Sequence, residues 1–153
     1  MRTILIGAVM LLACLSGAAR ADEASAAKAV ENLGGKVYRD DKLPGKPVIG
    51  VHLHEIGVTD AALKELADLK QLTWLSLTVT RVTDAGLKEL AHLKQLTSLH
   101  LAERSTGVTD AGLKGLKHLK QLTWLGLSRT KVTDAGISEL QADLPHCKIH
   151  RHR

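Results

Sequence analysis

Apolar residues in this chain follow two periods that take turns along the sequence. In Leu75-Ser76-Leu77, Leu99-His100-Leu101 and Leu125-Gly126-Leu127 every second residue is apolar, which is the period of a strand buried on one side. In Leu87, Leu90 and Leu93 the apolar residues fall three apart and line one face of a helix. A strand period followed by a helix period predicts a strand, a turn and a helix of about three turns. One such unit cannot bury its leucines alone, but stacked units can, with strands forming a parallel sheet on one face and helices on the other.

The stacking is written into the sequence as repetition. Val-Thr-Asp occurs at Val58, Val82, Val108 and Val132, with spacings of 24, 26 and 24 residues. Leu72 to Leu77 aligns with Leu96 to Leu101 and Leu122 to Leu127, and Val48 to Leu53 is a degenerate first copy. Each Val-Thr-Asp leads into a second shared string, Ala85 to Leu90, Ala111 to Leu116 and Ala135 to Leu140. Thr83-Asp84 can open the helix, the hydroxyl capping free backbone N–H groups and the carboxylate sitting at the positive end.

The ends differ from the middle. Residues 22–47 form an expected N-terminal cap: a helix from Ala24 to Leu33 stopped by Gly34-Gly35, a strand Lys36 to Arg39, and a turn containing Pro44-Gly45. Residues 48–144 hold four repeat units. Residues 145–153 form a C-terminal cap, with Pro145 stopping the last helix and a short strand at Cys147-Lys148-Ile149.

Leu-x-x-Leu-x-Leu followed by Val-Thr-Asp-Ala-Gly-Leu resembles the leucine-rich-repeat family, in particular the subclass of F-box proteins and short exported bacterial repeat proteins. The resemblance covers about residues 47–150. It implies an α/β fold, a right-handed solenoid with parallel strands on the concave face and helices on the convex face. That subclass often carries Asn or Cys at the ninth repeat position, where this chain has Ile56, Thr80, Thr106 and Thr130. A Thr hydroxyl can satisfy turn backbone in a similar way.

The first 21 residues read differently. Arg2, an apolar run from Ile4 to Leu15 and Ala19-Arg20-Ala21 have the layout of a signal peptide. The run is shorter than the roughly 20 apolar residues that span a bilayer. Two other readings stand beside it, a buried N-terminal helix and a lipobox around Leu11-Leu12-Ala13-Cys14 that would lipidate Cys14. The expectation is an exported protein, periplasmic or extracellular, with a membrane attachment only through Cys14.

Cleavage after Ala21 removes Arg2 and Arg20 from the 21 basic residues and none of the 16 acidic ones, leaving a net charge of +3. That mild balance does not mark a nucleic-acid binder, and no motif for one is present. Cys147 is then the only cysteine, so no intrachain disulfide forms. With no Phe, and only Trp74, Trp124 and Tyr38 as aromatic residues, the core must be aliphatic.

The residues that break the repetition are the candidates for function. Alternate strand positions share a face, which places Gly50, Trp74, Ser98 and Trp124 in one row. His52, Ser76, His100 and Gly126 form the next, and His54, Thr78, Ala102 and Ser128 a third. Strands lie about 4.8 Å apart, so Trp74 and Trp124 flank Ser98, with His100 beside them. Exposed indoles often mark contact sites, although they also cover sheet. The expected partner-binding set is Trp74, Ser76, Ser98, His100, Trp124 and His52, together with Arg104 in the insertion Glu103-Arg104-Ser105. A protein partner is expected, with a glycan as the other ligand class.

Other features read as background. Lysines recur at Lys64, Lys88 and Lys114 and at Lys70, Lys94 and Lys120, interleaved with Glu65, Glu89 and Glu139 as on a solvated helix face. His146, Cys147, His150 and His152 have metal-ligand types without metal-site spacing. No nucleophile elbow, phosphate loop or HExxH is present, and no cofactor is implied. A non-enzymatic binding module is the leading expectation. A self-assembling structural protein and a metal-binding protein are the alternatives.

Overall fold

The computed structural model describes residues 22–54, 57–102 and 107–151. The signal-like segment with Cys14, Ile56, the insertion carrying Arg104, Thr106 and His152 lie outside the described residues. Helix α1 (22–32) leads into strand β1 (Lys36–Arg39) and then β2 (Val48–Leu53). Four units follow: α2 (Asp60–Glu65) and β3 (Trp74–Thr78), α3 (Asp84–Glu89) and β4 (Ser98–Ala102), α4 (Asp110–Leu116) and β5 (Trp124–Gly126), and α5 (Asp134–Asp143) and β6 (Lys148–His150). The six strands form one sheet in chain order. Strand β1 runs antiparallel to β2, and every later pair is parallel.

The leucines that set the pattern fill the space between sheet and helices. Leu75, Leu77, Leu99, Leu101, Leu125 and Leu127 from the strands and Leu63, Leu87 and Leu113 from the helices are buried. The valine of each Val-Thr-Asp is buried with them.

Helices α2 to α4 are shorter than the three turns expected, whereas α5 with ten residues comes close to that length. Helices α2 and α3 have six residues each and pass into three-residue 3₁₀ turns, Leu66–Asp68 and Leu90–His92. The strict spacing of three explains this. Side chains at i and i+3 eclipse at three residues per turn, and the backbone follows the leucines. Leu69 N–H donates to Leu66 O at 3.0 Å and Leu72 N–H to Leu69 O at 3.0 Å, and the same pair of bonds recurs at Leu93 and Leu96 and at Leu119 and Leu122.

Two side-chain ladders lock one unit to the next. At the strand entrance, Thr73 donates through both N–H and hydroxyl to Ile49 O, Thr97 does the same to Thr73 O, and Thr123 to Thr97 O, all between 2.8 and 3.1 Å. At the helix entrance, the carboxylate of Asp60 accepts Thr83 N–H at 2.7 Å and Thr83 Oγ1–H at 2.6 Å. Asp84 holds Thr109 and Asp110 holds Thr133 in the same way. Thr83 also accepts Ala85 N–H as a helix cap, so one hydroxyl serves both its own helix and the stack. Those two bonds from Thr133 hold the Asp110 carboxyl below its ordinary value. Charge-assisted bonds of this type are among the stronger ones in proteins.

The second ladder explains a glycine. A Cβ at Gly86, Gly112 or Gly136 would run into the carboxylate of Asp60, Asp84 or Asp110. The first unit has Ala62 at that position, and no earlier Val-Thr-Asp stands before its own Val58-Thr59-Asp60 to supply such a carboxylate. At the far end Arg151 takes the place of the next threonine, pairing with Asp134 and donating to Val132 O at 2.6 Å.

Candidate binding face on the sheet

The open face of the sheet is built by register. Trp74 pairs with Ser98 and Ser98 with Trp124, while His52 pairs with Ser76, Ser76 with His100 and His100 with Gly126. The rows extend at both ends, where Tyr38 and Lys36 of β1 face Gly50 and His52, and Lys148 and His150 of β6 face Trp124 and Gly126. The parallel pairings follow from one repeat length being laid on the next, so each strand position lands beside its own copy.

Side chains along these rows touch in a continuous stripe. Tyr38 meets Trp74 edge-on with ring centroids 5.6 Å apart. Trp74 in turn meets His52 at 6.1 Å and His100 at 6.3 Å, both edge-on. His100 stacks on Trp124 at 3.9 Å with an interplanar angle of 26°, and His150 lies near-parallel to Trp124 from the next strand at 5.6 Å and 22°. His54 extends the stripe from His52 at 5.9 Å. Aromatic pairs in such geometries contribute roughly 0.5–1.5 kcal/mol beyond area burial.

Gly126 makes the stack possible. A Cβ there would lie 2.5 Å from Trp124 Cη2 and 2.8 Å from Cζ3. The indole therefore lies along its own strand over Gly126, between the imidazoles of β4 and β6. Gly50 gives Trp74 similar room, with a Cβ there coming within 3.1 Å of Trp74 Cε3.

The expected contact residues divide into two levels. Trp74, Ser98, His100, Trp124 and His52 are half-buried, with His52 Nε2 lying 3.3 Å from Thr78 Oγ1. Ser76 is 5% exposed and belongs to the floor between His52 and His100. Tyr38 and His150 are exposed members of the stripe that sequence reasoning assigned to a cap strand and a terminal cluster. Their signal was present in the alternation: buried Cys147 and half-buried Ile149 point inward, which puts Lys148 and His150 outward. Burial pushes the His52 imidazole below its ordinary value, with His54 and Lys36 adding repulsion, and burial and then His52 do the same to His100.

Other candidate chemistry does not assemble. Burial pushes the Cys147 thiol up to about 11, far from a thiolate nucleophile at neutral pH. Among the described residues no three His, Cys, Asp or Glu side chains cluster as a metal site. On the helix side Lys114 pairs with Glu139 at 3.3 Å and Lys70 with Asp68 at 3.7 Å, exposed pairs worth little to stability.

Each unit lays one Leu-x-x-Leu-x-Leu strand beside the last and returns through Val-Thr-Asp and a short helix. The fold is a leucine-rich-repeat solenoid. No family model matches the chain, and no curated protein is significantly similar to it. Solved structures similar to it include two internalins. Internalin C2 from Listeria monocytogenes aligns at 23% identity and a TM-score of 0.48, covering 66% of this chain and 38% of that one. An internalin (inlF) from the same organism aligns at 22% and 0.41, covering 67% and 32%. This chain thus spans 38% of the first structure's length and 32% of the second's.

Proposed function

We propose that the protein is a non-enzymatic binding module, exported from the cell, that engages a protein partner through the ring stripe on its sheet. The observation that carries this reading is the continuity of the stripe. Tyr38, Trp74, His52, His100, Trp124 and His150 form an unbroken chain of ring contacts across a face on which, among the described residues, these rings are half-buried or exposed. Large rings at the centre of an open face are the residues that dominate recognition energy in protein interfaces. An open sheet also lacks the enclosed, water-excluding pocket that catalysis needs.

The stack favours a protein over a glycan. Sugars pack on ring faces, and the faces of Trp124 are turned toward His100 and His150. Around that stack stand Trp74, imidazole nitrogens and the Ser98 hydroxyl, which suit side chains and backbone groups of a polypeptide.

The test is affinity capture from an envelope extract with residues 22–153. Wild type is expected to retain a partner that Trp74→Ala and Trp124→Ala lose by tenfold or more, with folding unchanged by circular dichroism. Equal capture by all three proteins overturns the proposal. Mass spectrometry of the exported chain tests the leader: a terminus at Asp22 supports simple cleavage, and a lipid-modified Cys14 supports a membrane anchor.

A further inference from the structure

We propose that the partner presents an extended acidic segment to the ring stripe, and that binding tightens in mildly acidic medium. This inference rests on the reading of the stripe as a protein-binding face and adds the partner's chemistry.

The argument is charge complementarity. Strands β1 to β6 contain no Asp or Glu. Their open face carries Lys36 on β1, His52 on β2, His100 on β4, and Lys148 and His150 on β6, and His54 follows β2 on the same face. Strands β3 and β5 add only Trp74, Ser76, Thr78, Trp124 and Gly126, none of which carries charge. Tyr38 is the remaining titratable group facing the stripe from β1. Glu55 and Glu103, which follow β2 and β4, lie outside the described residues. The chain's acidic groups that the structure describes sit instead on the helices and turns, as with Asp60, Asp84, Asp110 and Glu139. The face thus carries ammonium groups on its two edge strands and imidazoles on β2, β4 and β6, with no described carboxylate among them. Lys36, His52 and His54 also line a recess of about 340 Å³ with Gly34, a place for one carboxylate side chain.

Extension of the ligand follows from the shape of the stripe, which crosses six strands at about 4.8 Å each. Opposite charges along such a strip raise both affinity and encounter rate. Protonated His100 would lie 3.9 Å from the Trp124 ring centroid, so the indole face supports the imidazolium as well. Because burial lowers the His52 and His100 values, both imidazoles are neutral at pH 7.5 and charge below the usual histidine range.

The chain's two tryptophans both stand on this face, so intrinsic fluorescence reports its occupancy. The probes are a dodecapeptide alternating Asp and Leu, its Asn-for-Asp counterpart, and oligogalacturonate as an anionic glycan. Each is titrated into residues 22–153 at pH 7.5 and at pH 5.0, where Asp carboxylates remain ionised. The Asp peptide is expected to bind about tenfold tighter at pH 5.0 than at 7.5, and tighter than either other probe. In a His52→Gln/His54→Gln/His100→Gln/His150→Gln variant the ratio between the two pH values is expected to fall to near one. Equal binding of the Asn peptide, or no pH dependence for wild type, overturns the acidic segment. Preference for oligogalacturonate assigns the charge to a glycan and overturns it too. A Trp-dependent partner captured from extract that is not acidic sinks this inference alone and leaves the protein-binding reading in place.

Discussion

The helix entrances and the open sheet face of this solenoid are built from opposite kinds of sequence. At the helix entrances every unit repeats a buried valine, a threonine and an aspartate, and all but the first add a glycine two residues on. On the open face the equivalent positions differ, from Gly50 to Trp74 to Ser98 to Trp124. Repeated residues touch the copy of themselves in the next unit, so a change in one unit fails against its neighbour. Residues that vary lie on the open face, outside the leucine core, and most of them stay partly exposed. The contrast separates what holds the stack from what is free to recognise something.

That contrast can be broken at several points. The largest effect is expected from Asp84→Ala, which strips the Thr109 N–H and hydroxyl of their acceptor. Orphaned buried groups cost about 1–3 kcal/mol each, so urea denaturation should show a loss of about 3 kcal/mol. A loss under about 1 kcal/mol would mean the ladder is decorative. Gly112→Ala comes next. In an ordinary helix that change stabilises by about 1 kcal/mol, but here the new methyl meets the Asp84 carboxylate. A net loss of about 1–3 kcal/mol is expected from the forced shift, and any gain in stability would refute the steric account.

Thr80 is a smaller test on the repeated side. It is 1% exposed and its hydroxyl has no hydrogen-bond partner among the described residues, whereas the equivalent Thr130 donates to Leu127 O at 3.1 Å. Thr80→Val keeps the shape and removes the orphan, so thermal unfolding should show a gain of about 1 kcal/mol. On the open face, a double-mutant cycle of His100→Ala with Trp124→Ala should give a coupling of about 1 kcal/mol, well below the ladder effect. Coupling near zero would show the stack to be incidental.

Acid should separate the two regions by pH window. His52 and His100 lie below their ordinary value of 6.5, so the unfolded chain binds more protons as pH falls past that value. Their contribution is full above about pH 6.5 and is lost as pH falls through the folded values. Asp110 lies below its ordinary 3.8, so its contribution is present above that value and is lost at still lower pH. A stability profile taken from pH 7.5 to 3 should therefore decline in two stages. His52→Gln/His100→Gln should flatten the first and Asp110→Asn the second; a single decline unchanged by either pair of substitutions would contradict both assignments.

Most of the fold was readable before any coordinates. Two alternating periods and four copies of Val-Thr-Asp suffice for strand, turn and helix stacked in chain order, and the rows of Trp74, Ser98 and Trp124 followed from period two. Helix length was overestimated for α2 to α4 and right for α5, because a three-residue leucine spacing suits an α-helix face and a 3₁₀ turn equally well until the backbone bonds are seen. The site was half-readable. Trp74, His100 and Trp124 stood out as breaks in the repeat, but Tyr38 and His150 sit in end strands whose register no repeat specifies.

What the sequence by itself determined is the local pattern: which residues are buried, which cap, and which unit lies beside which. Those are set by short-range periodicity and by identical units burying identical leucines. Tertiary structure alone decided who holds whom. Thr83 and Asp60 are 23 residues apart, and the spacing does not reveal that the carboxylate reaches forward one unit rather than capping its own helix. Nor does it reveal that Trp124 lies over Gly126 between two imidazoles from different strands. Both depend on where side chains point once the units are stacked, which is a property of the packed solenoid.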